Sequence, residues 1–288
     1  MPIYSIYHFF KEVLKNKNFL LTLKKLENFP FNSNLLACQN KGLFPDLAIR
    51  INKNSNKDIA LFSGGELIEL KDSKSYSIAS FNSTIPTGKK EINKVITSSS
   101  STIKKQMEAN GNNIYSLPVR DVFYLIRGLT KNNTKVCLVH GSFFETLPID
   151  KLIQNSLEQS LNERLHELDK KLPTKWKNKF LSLFTKQENF SRVRNIEKAS
   201  VKLRFRIMTE IKAEGNILNS KTYPEILDNT LNFILPLHQS IEESNIFKKM
   251  NFVFTQNQLN QFKIFKIKHL LNGYFLVFQT SLSKNQSK

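Results

Sequence analysis

The chain has 288 residues, 40% of them apolar, so it is long enough and apolar enough to bury a core and is not a disordered polypeptide. Its 43 lysines and arginines against 24 acidic residues give a formal net charge of +19, which indicates a polyanionic partner, nucleic acid before an anionic membrane. No apolar run approaches the roughly 20 residues of a membrane-spanning helix, and two cysteines are too few for a disulfide framework or a zinc cage. The N-terminus lacks a signal-peptide pattern, so we expect a cytoplasmic protein without a membrane role.

The first part of the chain predicts a helical region followed by two strands. Apolar spacing predicts helix over residues 6–28, and Pro and Asn predict a loop over 29–42. Asp46 opens the apolar run 47–51, and a second strand spans 65–71. The asparagine-rich segment 52–56 supplies a turn between them. We therefore expect an antiparallel pair that brings Asp46 beside Glu69.

The second of these strands carries charged groups on one side. Alternation places Ile68 and Leu70 on a core face, and Glu69 and Lys71 on the other. Two carboxylates are the hard oxygen ligands that Mg²⁺ takes in phosphate-processing sites, and a lysine can hold a water or offset charge at the phosphoryl group. The pattern predicts metal-assisted phosphodiester hydrolysis with Asp46 and Glu69 as ligands. The alternative is a solvent-facing Glu69–Lys71 ion pair.

The middle of the chain predicts a polar loop and further elements. Residues 73–88 are rich in Ser, Thr and Asn, and Lys74, Tyr76 and Asn82 are candidates for contact with DNA, unless the segment is a plain connector. Helices are predicted over 89–109 and 118–129, and a strand over 134–141. His140 at the end of that strand either approaches the carboxylates or makes structural hydrogen bonds.

The remainder of the chain is basic and predicts helices over 149–171 and 195–216. Segment 170–206 concentrates positive charge with interleaved aromatic residues, which suits phosphate contacts as well as a solvated helix face. The residues selected as phosphate contacts are Arg192, Arg194, Lys202, Arg204 and Arg206. Asn272-Gly273 between apolar runs predicts a β-hairpin over 262–278.

Pro45-Asp46 followed by Glu69-Leu70-Lys71 resembles the signature of the PD-(D/E)xK nucleases, and the polar stretch after it is similar to type II restriction endonucleases. The resemblance covers roughly residues 40–145. It implies a Mg²⁺-dependent enzyme with catalytic Asp46, Glu69 and Lys71 that acts as a homodimer on a palindrome in double-stranded DNA. It also implies a cognate DNA methyltransferase encoded nearby.

Such nucleases often place a further acid on a helix ahead of the first catalytic strand. Glu12 and Glu27 are the candidates here, and a solvated helix face is the alternative for both.

Together these observations predict an α/β fold, in which a mixed sheet flanked by helices forms a restriction-endonuclease-like core over residues 1–147. Residues 148–288 are predicted to form a mainly helical, basic region for DNA contact and dimerisation that ends in the hairpin. The function predicted is site-specific cleavage of DNA. A repair or junction-resolving nuclease and a non-catalytic nucleic-acid-binding protein are the alternatives.

Overall fold

The computed structural model describes residues 5–38, 44–50, 64–73, 86–96, 101–130, 133–145, 149–185, 215–237 and 240–282. The helices of these ranges are α1 Ile6–Lys15, α2 Phe19–Thr22, α3 Ile92–Val95, α4 Thr102–Ala109, α5 Ile149–Glu167, α6 Thr174–Thr185, α7 Ser240–Val253 and α8 Gln256–Leu259. Short 3₁₀ helices span Leu26–Asn28, Ile114–Ser116 and Gly141–Phe144. The strands are β1 Leu36–Cys38, β2 Leu47–Ile49, β3 Leu67–Ser73, β4 Lys89–Glu91, β5 Val119–Leu129, β6 Thr134–His140, β7 Thr230–Leu237, β8 Lys263–His269 and β9 Gly273–Ser281.

The described strands form one mixed sheet of nine strands flanked by helices. Eight of them follow the order β1-β2-β3-β5-β6-β7-β9-β8, and β4 pairs with β5 off this path. The pairs β3–β5 and β6–β7 are parallel, and the other neighbours are antiparallel. The predicted α/β class with a mixed sheet and flanking helices is confirmed at this level.

Both faces of the sheet are covered, so its central strands are apolar at nearly every position. On one face, residues of α1 and α7 such as Phe10 and Met250 pack on Ile68 and Phe123. On the other face, residues of α3 and α4 such as Ile92 and Ile103 pack with Leu67. The predicted core-facing side of β3 is therefore correct. On the opposite side of that strand, its first residue, Leu67, is buried in the second core.

The helix predicted over residues 118–129 is wrong, because this segment is strand β5. Val122, Tyr124 and Ile126 lie in one core, and Phe123 and Leu125 lie in the other. A continuous apolar run fits a buried helix and a doubly buried strand equally well by spacing alone. The β-branched and aromatic side chains here favour the strand.

The single helix predicted over residues 89–109 is divided. Lys89–Glu91 form strand β4, α3 follows, and α4 begins only at Thr102. Ser101 caps α4, since its side chain accepts a hydrogen bond from the backbone N–H of Lys104. Serine favours such caps over helix interiors, which explains the late start. The predicted helix over 6–28 is likewise divided into α1, α2 and a 3₁₀ turn, and the predicted loop 29–42 contains β1.

The later part of the chain contributes strands to the same sheet. Strand β7 lies between β6 and β9. The segment 262–278, for which a hairpin is predicted, contains β8 and most of β9, which pair antiparallel. The chain divides into two compact units, one of residues 1–145 with 210–288 and the other of residues 146–209. This division differs from the predicted one, because β7–β9 complete the sheet that β1–β6 begin. No helix in the described ranges is long and apolar enough to cross a membrane.

A buried arginine fastens the segment after α1 to the sheet. The fully buried Arg127 of β5 donates from Nε to Asp72 Oδ1 at 2.8 Å, and from Nη1 to the carbonyls of Leu20 and Leu23 at 3.2 and 2.8 Å. The other Asp72 oxygen accepts from the backbone N–H of Leu26 at 2.8 Å. One ion pair thus holds α2 and the following 3₁₀ turn against β3.

We predict that Asp72→Asn destabilises the protein by roughly 2–4 kcal/mol, because it leaves the Arg127 charge buried without a counter-ion. The loss lies toward the lower end of the range for buried pairs, since the Asp72 side chain is 36% exposed. Chemical denaturation measures the change. Glu91→Gln, which removes the exposed ion pair with Lys94, is the control and should cost less than about 0.5 kcal/mol. Equal effects of the two variants would contradict the prediction.

Candidate active site

The register of β2 and β3 brings the two predicted carboxylates together. Leu47 pairs with Ile68 and Ala48 pairs with Leu67 in the antiparallel arrangement expected from the sequence. The next position along this ladder sets Asp46 opposite Glu69. Asp46, the residue before β2, therefore lies beside Glu69, the third residue of β3.

Hydrogen bonds fix the orientation of these side chains. Asp46 Oδ2 accepts from the backbone N–H of Leu70 at 2.7 Å, at the point where β2 no longer pairs with β3. Lys71 Nζ lies 2.7 Å from Glu69 Oε1 and forms an ion pair with it. The side chains of Glu69 and Lys71 are 14% and 30% exposed, so this pair is more enclosed than an ordinary surface ion pair. The structure thus brings all three predicted residues into one cluster.

Burial makes both carboxyl groups hard to ionise. Burial raises the pKa of Glu69 to about 7; the Asp46 carboxylate adds to this rise and Lys71 opposes it. Burial also raises the pKa of Asp46, while the Leu70 N–H and the Lys71 charge oppose the rise. A cation placed between the two groups would relieve this cost, because it favours both ionised forms.

Tyr124 is a neighbour of the cluster that the sequence analysis missed. It pairs with Glu69 in the parallel β3–β5 ladder and is buried. Burial and the charge of Glu69 both raise the pKa of Tyr124, so the phenol stays neutral. The β-branched and aromatic residues of 118–129 favour a strand that could pair with β3. The sequence alone does not set the register that pairs Tyr124 with Glu69.

The two helical acids have different places. Glu27 lies in the 3₁₀ turn that the Asp72 side chain holds against β3, and its charge contributes to the raised pKa of Asp46. Glu12 instead forms an ion pair with Lys15 on α1, with 2.8 Å between Oε1 and Nζ, as a helix surface residue does. The structure therefore brings Glu27, and not Glu12, into the electrostatic environment of the candidate site.

His140 has a structural role. Its Nδ1 accepts from the backbone N–H of Ser142, so the His140 side chain caps the 3₁₀ helix after β6, and Nδ1 also lies 2.8 Å from Ser142 Oγ. His140 pairs with Phe123, which pairs with Ile68, so this row points to the face opposite Glu69. Of the two roles considered for His140, the hydrogen-bonding one agrees with its position.

The candidates for DNA contact lie outside the described residues. Segment 74–85 contains Lys74, Tyr76 and Asn82, and segment 186–214 contains the other five, Arg192, Arg194, Lys202, Arg204 and Arg206. The predicted helix over 195–216 falls almost entirely in the second segment. These assignments stay predictions.

The donors present fit a metal ion that needs few protein ligands. Within the described ranges, no group of three or more His, Cys, Asp and Glu side chains is arranged to hold a metal ion. Asp46 and Glu69 still offer oxygen donors, and the buried Glu69 Oε2 has no hydrogen-bond partner among the described residues. Mg²⁺ keeps several waters and is commonly bound by one or two carboxylates plus substrate phosphate. The pair therefore suits Mg²⁺ in the presence of a phosphate-containing substrate.

Comparison with known proteins adds no relative. No family model matches the chain, and neither the curated proteins nor the solved structures contain a match.

We predict that the stability of the metal-free protein declines with pH because of Glu69. Its folded pKa of about 7 exceeds the ordinary value of 4.5, so the folded state binds more protons between these pH values. This stabilisation is complete below pH 4.5 and is lost as the pH rises through 7. Relative to wild type, Glu69→Gln should gain on the order of 1–3 kcal/mol between pH 5 and pH 8.

Denaturant unfolding in the presence of a chelator, repeated at several pH values, measures this difference. Glu108→Gln is the control, because Glu108 is an exposed acid on α4 and its replacement should not alter the pH dependence. Parallel curves for wild type and Glu69→Gln would show that Glu69 has an ordinary pKa.

Proposed function

We propose that this protein is a Mg²⁺-dependent endonuclease that hydrolyses phosphodiester bonds of double-stranded DNA, with site-specific cleavage of the type II restriction class. The observation that carries the proposal is the cluster of Asp46, Glu69 and Lys71, assembled from two neighbouring strands within a mixed sheet flanked by helices. The resemblance to the PD-(D/E)xK signature and the net charge of +19 agree with it.

The three side chains have complementary roles in this proposal. Asp46, oriented by the Leu70 N–H, and Glu69, whose Oε2 lies buried, are the ligands. When bound, Mg²⁺ polarises the phosphoryl oxygen and lowers the pKa of a coordinated water. The ammonium of Lys71 opposes the rise in the pKa of Glu69 and offsets the negative charge that develops at the phosphoryl group. Glu27 adds negative charge beside Asp46 and strengthens the attraction for a divalent cation.

The proposal brings partners with it. Double-stranded DNA is the substrate, and the basic segments outside the described residues are the expected phosphate contacts. The restriction-enzyme class implies a homodimer, since a protein with two-fold symmetry matches the symmetry of a palindromic site. It also implies a methyltransferase that protects the host DNA.

We predict that Asp46→Ala lowers the rate of DNA cleavage in Mg²⁺ by roughly a thousandfold or more, because it removes a ligand that stabilises the transition state. DNA binding in Ca²⁺ should persist, since phosphate contacts and not this carboxylate supply affinity. Gel analysis of cleavage and fluorescence anisotropy of binding measure the two effects. Glu108→Ala removes an exposed carboxylate from α4 and serves as the matched control.

The products of wild-type protein on mixed-sequence DNA separate the three functional classes. Discrete fragments support site-specific cleavage. Cuts only at mismatched or branched DNA indicate a repair or junction-resolving nuclease. Binding without cuts, or full activity of Asp46→Ala, would overturn the assignment of this site.

We also predict that Mg²⁺ raises the melting temperature more at pH 8 than at pH 6. The proton on Glu69, whose pKa is about 7, competes with the metal at the lower pH. Differential scanning fluorimetry with and without Mg²⁺ measures the shift, and mass action relates it to affinity. Glu69→Gln should abolish the pH dependence of the shift, whereas an unchanged dependence would place the metal elsewhere.

A further inference from the structure

The turn between β8 and β9 displays two leucines to solvent. Leu270 and Leu271 are 67% and 71% exposed, more than any other large hydrophobic side chain in the described ranges, and Tyr274 beside them is 51% exposed. Single exposed apolar residues are ordinary on protein surfaces. Adjacent leucines at the tip of a hairpin form a small projecting apolar surface that is available to a partner.

The turn is held rigid by buried polar groups. The buried His269 accepts at Nδ1 from the backbone N–H groups of Leu271 and Asn272, both at 3.1 Å. With Nδ1 as acceptor, Nε2 carries the proton and donates to Asn216 Oδ1 at 3.0 Å. Asn272 Nδ2 donates to the carbonyls of Phe143 and Glu145 at 2.9 and 2.7 Å. Leu270 and Leu271 are therefore fixed in their exposed position.

This rigidity has an energetic consequence for binding. A flexible loop loses conformational entropy when it inserts into a partner, whereas the ordering of this turn is already achieved by folding. Gly273 completes the turn at φ 82°, a conformation that glycine adopts without strain. The tip is thus a preformed apolar wedge, which we define as Leu270, Leu271 and Tyr274.

The apolar wedge has a lysine beside it. Lys268 pairs with Tyr274 across the hairpin, and its Nζ lies 5.9 Å from the centre of that ring. Lys266 follows on the same face of β8, but it forms an ion pair with Glu243 at 2.8 Å, so Lys268 supplies the charge beside the wedge. Among the described strands β8 is the last of the sheet, and both lysines are exposed. An apolar tip beside a cation fits an anionic partner that can open to admit side chains.

A second copy of this chain fits this surface poorly. Symmetric contact through the tip would bring Lys268 near its own equivalent, in a chain whose net charge is +19. Duplex DNA offers both complementary features, because phosphates attract Lys268 and base steps separate to accept apolar side chains.

We propose that the β8–β9 hairpin binds duplex DNA by inserting Leu270 and Leu271 between base steps, while Lys268 contacts the flanking phosphate. The choice of DNA rests on the proposed function, whose substrate is duplex DNA. The insertion unstacks the bases locally and bends the duplex, which enlarges the surface that the protein contacts.

The test uses full-length protein and mixed-sequence duplexes that contain 2-aminopurine, a base whose fluorescence rises on unstacking. Calcium replaces magnesium so that the duplex stays intact. Wild-type protein should raise the fluorescence at saturation. The double variant Leu270→Ala/Leu271→Ala should lose this rise and bind about tenfold more weakly, because it lacks the leucine side chains that DNA buries in the complex. Leu227→Ala, which truncates a leucine that is 49% exposed elsewhere, is the matched control and should leave both readouts unchanged.

A second variant separates charge from insertion. Lys268→Gln should lower the slope of log affinity against log salt by about 0.9 for one lost phosphate contact. It should retain the fluorescence rise at saturating protein, since the leucines are intact. Melting temperatures of all variants should equal that of wild type, because the altered side chains are exposed.

The proposal is overturned by three results. One is wild-type binding without a fluorescence rise, or no binding to duplex DNA at all. Another is unchanged binding and fluorescence in the double variant. The third is loss, in that variant, of binding to phosphatidylserine vesicles or of a dimer in light scattering while DNA binding is retained. Two further measurements keep the two proposals apart. If wild-type protein raises the fluorescence but does not cleave DNA in Mg²⁺, the nuclease proposal fails and the insertion proposal stands. Asp46→Ala should still raise the fluorescence, because the leucines are intact.

Discussion

The pairing of β2 with β3 is the constraint on which the candidate site depends. Side chains alternate along a strand, so a slip of one residue would turn Asp46 away from Glu69 and place Leu47 against it. The register is held because Leu47 and Ile68 enter one core while Ala48 and Leu67 enter the other. Hydrophobic burial on two faces thus enforces the approach of two carboxyl groups that would otherwise repel each other.

The cost of that approach is distributed over neighbouring positive and polar groups. Lys71 pairs with Glu69 on the same strand. The N–H of Leu70, which lies between these two residues in the sequence, orients Asp46. One residue further, Asp72 turns to the other side and pairs with the buried Arg127. Consecutive residues of one strand therefore serve two networks, and the second of them holds in place the turn that carries Glu27. Changes at Asp72 are expected to alter the electrostatics at Asp46 through this turn.

The sequence was sufficient for the site where pattern and turn chemistry agreed. Alternation in β3 and the asparagine-rich segment before it predicted the antiparallel pair, and Asn272-Gly273 marked the turn between β8 and β9. It failed at β5, because an unbroken apolar run has no period that separates a doubly buried strand from a helix. The sequence also did not predict which residues of β5 lie beside β3, because that depends on the long-range register. The β3–β5 ladder, which local spacing does not encode, places Tyr124 beside Glu69 and Arg127 beside Asp72.

The sheet also separates the carboxylate cluster from the apolar wedge. A row of paired residues runs from Glu69 through Tyr124, Val139 and Ile234 to Val277 on β9, and the turn of residues 270–272 precedes Val277 by five to seven residues. Four strand spacings of about 4.8 Å make this row roughly 19 Å long. Sites farther apart than about 10 Å with no shared partners respond to mutation additively. Replacement of Asp46 and truncation of the leucines at the turn should therefore have additive effects on stability, because the two places lie in separate parts of one sheet.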